Sequence, residues 1–91
     1  VHPFGNPHVT LDPIRAGEIA VAIGKRLGEI DPAHAADFAK NAEAIRARLA
    51  EKTKAWQARV KKAGVTRVVT FHRTLSYFLD RLGIELAAIL E

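Results

Sequence analysis

The chain of 91 residues contains no cysteine. That absence excludes a disulfide framework and a thiolate metal site, though it identifies no compartment. No run of 18 apolar residues occurs, so no membrane-spanning helix is expected. Internal repeats and low-complexity tracts are lacking too. Acidic residues are outnumbered, 10 against 14 Lys and Arg, giving a net charge of +4. The resulting pI of about 9.9 raises nucleic acid or an anionic surface as a partner. However, Arg46, Arg48, Lys52, Lys54, Arg59, Lys61 and Lys62 are interleaved with Glu43 and Glu51. No recognised nucleic-acid motif accompanies them, so they read as solvated helix faces. Apolar residues make up 48%, which excludes disorder as the main state. The length allows one small domain, with a modest share of its surface buried. The chain opens Val1-His2-Pro3-Phe4 without an initiator Met or signal peptide, and it stops directly after the apolar run Leu86 to Leu90. We expect it to be a central piece of a longer protein, with any targeting signal outside it.

What is present is helix punctuation. Residues 1–11 form a Pro/Gly-containing loop, and Asp12-Pro13 then marks a helix start, with Asp as N-cap and Pro at the first helical position. Ala16, Ile19 or Ala20, Ile23, Leu27 and Ile30 follow at three- and four-residue steps, one stripe on a helix over about 13–29. Asp31-Pro32 repeats the start signal. The second stripe runs Ala35, Phe38, Ala42, Ile45, Leu49, Trp56, Val60, Ala63, interrupted only at Lys52 or Thr53, and Gly64 is the expected stop. A helix of that span is roughly 45 Å long at 1.5 Å per residue, longer than a compact domain of this size. It reads as a beam in something larger. Thr66 to Phe71 reads as a strand, Leu75, Phe78, Leu79 and Leu82 as a short helix closed by Gly83, and Ile84 to Leu90 as a parallel strand buried on both faces. Strand, helix, strand makes a βαβ unit.

Two histidines carry the chemistry. His8 lies in Gly5-Asn6-Pro7-His8-Val9-Thr10-Leu11-Asp12-Pro13, ahead of a helix; His72 ends the run Val68-Val69-Thr70-Phe71-His72. Such positions face the ligand crevice of open α/β sheets, and imidazole is the commonest ligand for zinc-like ions. On the residues alone each reads more readily as a structural or surface histidine, because 64 residues separate them and no short metal motif links them. His2 is a candidate loose extra ligand, and His34 is expected to be exposed. Trp56, Tyr77 and Phe78 are assigned to packing, Asp12 and Asp31 to capping, and Asn6 to holding the turn that positions His8.

Taken together, Gly5-Asn6-Pro7-His8-x-x-Leu11-Asp12-Pro13, Asp31-Pro32 opening a long helix, and Val69-Thr70-Phe71-His72 with Tyr77-Phe78 and Gly83 behind it resemble one family. It is the zinc/manganese-type, or cluster A-I, solute-binding proteins of bacterial ABC transporters. The resemblance covers the chain in order and spacing. It implies an α/β fold with two lobes joined by one rigid helix and a metal held between them. Residues 1–31 would end the first lobe, 32–64 form the connecting helix, and 65–91 begin the second lobe. By resemblance His8 matches the second metal ligand and His72 the third; a histidine upstream and an acidic residue downstream would complete the set. Thr10 stands where an aromatic is common, and Arg73-Thr74-Leu75 where Asp-Ala-Phe is common, which alters the surroundings of both ligands.

The resemblance implies a periplasmic or cell-surface receptor that passes Zn²⁺ or Mn²⁺ to a membrane permease and is not an enzyme. Two other functions compete. A zinc hydrolase needs an open coordination position and a nearby general base, yet only the capping Asp12 neighbours either histidine. A basic helical module would bind nucleic acid with steep salt dependence. The bare stripes and strand edges lead us to expect that the isolated chain self-associates.

Overall fold

The structure, a computed structural model, describes residues 5–90, so the assignment made for His2 lies outside the described residues. Its elements follow the punctuation closely. Helix α1 spans Pro13–Ile30 and α2 spans Ala35–Ala63. Strand β1 is Arg67–Thr70, α3 is Ser76–Arg81 and β2 is Glu85–Ile89. Single 3₁₀ turns, Val9–Leu11, Pro32–His34 and Arg73–Leu75, precede the three α-helices. The second helix therefore starts three residues later than its Asp-Pro signal suggests. Asp31 does not cap it through its side chain; its carboxylate instead pairs with Nδ1 of His34, 2.8 Å away and exposed as expected. Asp37 in the first turn of α2 and Lys61 and Lys62 in its last suit the helix dipole. Gly64 takes a left-handed φ of 74° and ends the helix.

The two long helices pack antiparallel through glycine. A Cβ on Gly24 would stand 2.9 Å from the Ala42 Cβ and 3.0 Å from the Phe38 carbonyl oxygen. One on Gly17 would stand 3.1 Å from the Arg46 Cα. The seam is thus a close backbone approach. The aliphatic stripe of α1 does not make it: Ile23 stays 55% exposed and Ile30 65%. On α2 the interruption in the stripe is a buried site, for Thr53 is only 2% exposed. Its hydroxyl donates to the Leu49 carbonyl at 2.7 Å, so burial leaves no polar atom unsatisfied.

Strands β1 and β2 pair in parallel, Arg67 opposite Glu85 and Thr70 opposite Ile89, with a slip between Val68 and Val69. The strand-helix-strand order is as expected. Burial of β2 on both faces is not observed: among the described residues no further strand flanks it, and only Ile84, Leu86 and Ile89 face inward even in part. Helix α3 is held by Leu79 and by Phe78, whose ring meets Trp56 edge-on at 6.0 Å. The assembly measures 49 × 35 × 12 Å. Its radius of gyration, 16.3 Å, exceeds the ~13 Å of a compact domain this size.

Substituting Gly24 tests the seam. Gly24→Val should lower unfolding stability by about 1–3 kcal/mol, because its methyls meet backbone that cannot yield. Helix propensity alone favours a non-glycine residue here. A urea melt of Gly24→Val as stable as the parent would contradict the close approach.

Candidate metal site

His8 sits in the loop that feeds α1, at the start of the Val9–Leu11 turn. The Asn6 side chain organises that loop. Its Oδ1 accepts the His8 backbone N–H at 3.0 Å and lies 2.8 Å from His8 Nδ1. This is an Asx turn, as assigned from the sequence. The other end of the same amide, Nδ2, donates to the Arg73 carbonyl at 2.8 Å. Arg73 directly follows His72. The structure therefore brings the two histidine-bearing segments side by side, tied through one side chain, although 64 residues of chain separate them.

His72 follows β1 in extended conformation, φ −121° and ψ 168°, before the Arg73–Leu75 turn. Thr70 Oγ1 donates to its carbonyl at 2.8 Å, and Ser76 Oγ donates to the Arg73 carbonyl at 2.9 Å. The ring packs edge-to-face on Phe71 with centroids 4.6 Å apart. Both rings are exposed, whereas His8 is half-buried.

Three polar links that hold α3, two to the N-terminal segment and one to α2, were not read from the sequence. Tyr77, assigned to packing, donates its hydroxyl to the Asn6 carbonyl at 3.0 Å. Arg81 grips Asp12 with both arms, Nε to Oδ1 and Nη2 to Oδ2, each at 2.9 Å. Gln57 of α2 donates to the Arg81 carbonyl at 2.7 Å, pinning the end of α3. Asp12 does cap α1, accepting from Ile14 N at 3.0 Å and Arg15 N at 3.4 Å, but it also closes this clamp. It is 4% exposed. Burial pushes its carboxyl up, yet the Arg81 hydrogen bonds and the two backbone N–H groups outweigh that and hold it below the ordinary carboxylate range. The Arg81 guanidinium is raised in turn, chiefly by its hydrogen bonds to Asp12.

Among the described residues no group of three or more His, Asp or Glu converges to hold a cation. Two imidazoles would supply half of a tetrahedral shell. They suit a borderline cation such as Zn²⁺, and they need ligands from elsewhere.

The family profile described as "ZnuA: Zinc-uptake complex component A periplasmic" matches residues 2–91. The chain belongs to this family. That description is of a component of a zinc-uptake complex, not of an enzyme. One curated relative, the high-affinity zinc uptake system protein ZnuA of Brucella abortus, is 38% identical over 80 residues, covering 88% of the chain. The chain spans 24% of that relative's length. Among solved structures, a Zn(II)-bound variant of AdcAII from Streptococcus pneumoniae superposes with a TM-score of 0.83 at 37% identity, covering 91% of the chain and 31% of AdcAII. A mutant of FpvC from Pseudomonas aeruginosa gives 0.87 at 32% identity, covering 94% of the chain and 32% of FpvC. The helix-rich α/β architecture of this chain is thus the fold of those ZnuA-family neighbours.

Asp12 can be tested with its cap and its charge kept apart. Asparagine caps as well as aspartate, so Asp12→Asn removes chiefly the charged pair, at about 1.5–3 kcal/mol. Asp12→Ala should cost about 1 kcal/mol more. Because the folded carboxyl titrates low, its contribution is complete above the unfolded value near 4 and fades as pH falls through the folded value. The gap between parent and Asp12→Asn in urea melts should therefore be wide at neutral pH and narrow in acid. A gap independent of pH would refute the clamp.

Proposed function

We propose that the intact protein carrying this chain is the extracytoplasmic solute-binding component of an ABC transporter, capturing a divalent transition metal for delivery to a membrane permease. His8 and His72 are two of the cargo's ligands. The observation that carries this reading is the convergence of both histidine-bearing segments on one Asn6 side chain, in a chain of the ZnuA family. The remaining ligands come from parts of the protein outside these residues.

Zn²⁺ is the favoured cargo. Imidazole binds Zn²⁺ more tightly than Mn²⁺ in any one geometry, following the Irving–Williams order. The family description names zinc uptake, and the AdcAII variant was solved with Zn(II) bound. Manganese belongs to the same reading only as a weaker competitor. We assign residues 1–31 to the end of one lobe, 32–64 to the connecting helix and 65–91 to the start of the second lobe, with the histidines on either side of the helix. A cargo held between segments that approach from two sides can leave when one side moves, without chemistry on it.

Competition titration of the intact protein against a zinc-chelating dye tests the site. His8→Ala and His72→Ala should each weaken Zn²⁺ binding by more than the ~10–100-fold typical of losing an outer hydrogen-bond partner. Unchanged Zn²⁺ affinity after removal of both imidazoles would end this reading. For the isolated 91-residue polypeptide we expect self-association through the exposed aliphatic stripe of α1. Light scattering that finds a monodisperse monomer would contradict that expectation.

A further inference from the structure

We propose that Asn6 is a positioning residue for the cargo cation, fixing the tautomer of His8 with one end of its amide and the placement of the His72 segment with the other. This rests on the reading of His8 as a zinc ligand. It extends that reading to a side chain that touches no cation.

The geometry leaves little freedom. Asn6 Nδ2 lies 2.8 Å from the Arg73 carbonyl oxygen, which can only accept. Reversing the amide would set oxygen against oxygen, so the orientation is fixed from outside the loop. Oδ1 must then face His8, where it accepts the backbone N–H at 3.0 Å and meets Nδ1 at 2.8 Å. An amide oxygen can only accept, so Nδ1 carries the proton and the imidazole lone pair lies on Nε2. A ligating histidine usually has its other ring nitrogen held in this way by an oxygen, which sets the ring angle and raises ligand basicity. Here that oxygen is supplied by a residue only two positions away, across a proline whose φ is locked.

The same amide reaches the neighbouring segment. The Arg73 carbonyl also accepts from Ser76, from Oγ at 2.9 Å and from the backbone N–H, so its position is fixed from within its own turn as well as by Asn6. Tyr77 O–H, one turn further along, holds the Asn6 carbonyl at 3.0 Å. The Asn6 residue is therefore gripped at its backbone by α3 and at its side chain by the residue after His72. The loop that bears His8 and the segment that bears His72 are thus joined through one side chain.

Two variants separate the two ends. Asn6→Ala removes both. Asn6→Asp keeps an acceptor for His8 Nδ1 but loses the donor to Arg73. Histidine ¹⁵N–¹H long-range correlation spectra of the intact, metal-free protein, recorded where the imidazole is neutral, report the tautomer directly. The parent should show His8 as the Nδ1–H form. Asn6→Ala should shift it toward the Nε2–H form and weaken Zn²⁺ binding by about 10–100-fold. Asn6→Asp should keep the Nδ1–H signature while the Arg73 amide and the His72 ring signals move. The proposal is overturned if Asn6→Ala keeps the parent tautomer, whether or not affinity falls, since a purely structural role would lower affinity alone. Should Asn6→Ala fail to fold, Asn6→Asp decides: loss of its Nδ1–H signature overturns the proposal. A parent protein that binds no Zn²⁺ sinks the receptor reading instead, and the metal-free tautomer spectra still judge Asn6.

Discussion

The buried Asp12–Arg81 pair is the interaction on which the rest of this structure leans. A carboxylate so shut off from water would be costly if unpaired. Here four N–H donors converge on it: two from the first turn of α1 and two from one guanidinium. Arg81 keeps part of its surface in water, which lowers the desolvation cost while leaving the bidentate geometry intact. The pair does two jobs with one carboxylate. It starts α1, and it locks the end of α3 to that start. Helix α3 has six residues, too few to hold itself in water, so its position is set by such external grips.

Polar grips matter because apolar burial is thin. The described residues form a slab 12 Å thick, and none of the large side chains is fully buried. Ala42, Leu79 and Ile84 are the nearest approach to a core. A parallel pair of short strands is marginal on its own. The Arg67–Glu85 cross-strand pair at 2.8 Å is exposed on both sides and contributes little. What remains is the glycine seam between the long helices at one end and the clamp at the other. The beam α2 connects them, packing against α1 over its first half and against α3 through Trp56 and Gln57 near its far end.

Local signals were legible in the sequence, and contacts between distant elements were not. Asp12-Pro13, Gly64 and Gly83 fixed the helix ends because capping and left-handed turns are decided within a few residues. The motif around His8 and the string ending in His72 carried the family, and Asn6 was rightly read as a turn holder. Asp31 broke the rule: with Pro32 opening a 3₁₀ turn rather than an α-helix, its carboxylate finds His34 more easily than a backbone N–H. The glycine seam was missed because periodicity weighs large apolar residues, whereas close backbone approach selects the smallest. Tyr77 and Arg81 were missed for a different reason. Their partners lie 71 and 69 residues away, and nothing in a helical pattern announces a contact of that range.

On the function proposed above, the intact protein must both seize and surrender a cation. Two imidazoles alone hold a divalent ion weakly, and a complete tetrahedral shell holds it tightly. A site assembled from separate segments can pass between those regimes if the segments keep their internal geometry while their separation changes. The elements here answer to that need. Each histidine is oriented by its own local bonds, His8 by the Asx turn and His72 by Thr70 and Phe71. One link between the two segments is a neutral hydrogen bond, Asn6 to Arg73. A bond of that kind is worth about 1 kcal/mol net. On the function proposed above, a bond of this strength would bias the arrangement toward capture and still yield if the segments were drawn apart. The ionic clamp, Arg81 to Asp12, joins the end of α3 to the start of α1 by two charge-assisted bonds and is the stronger tie.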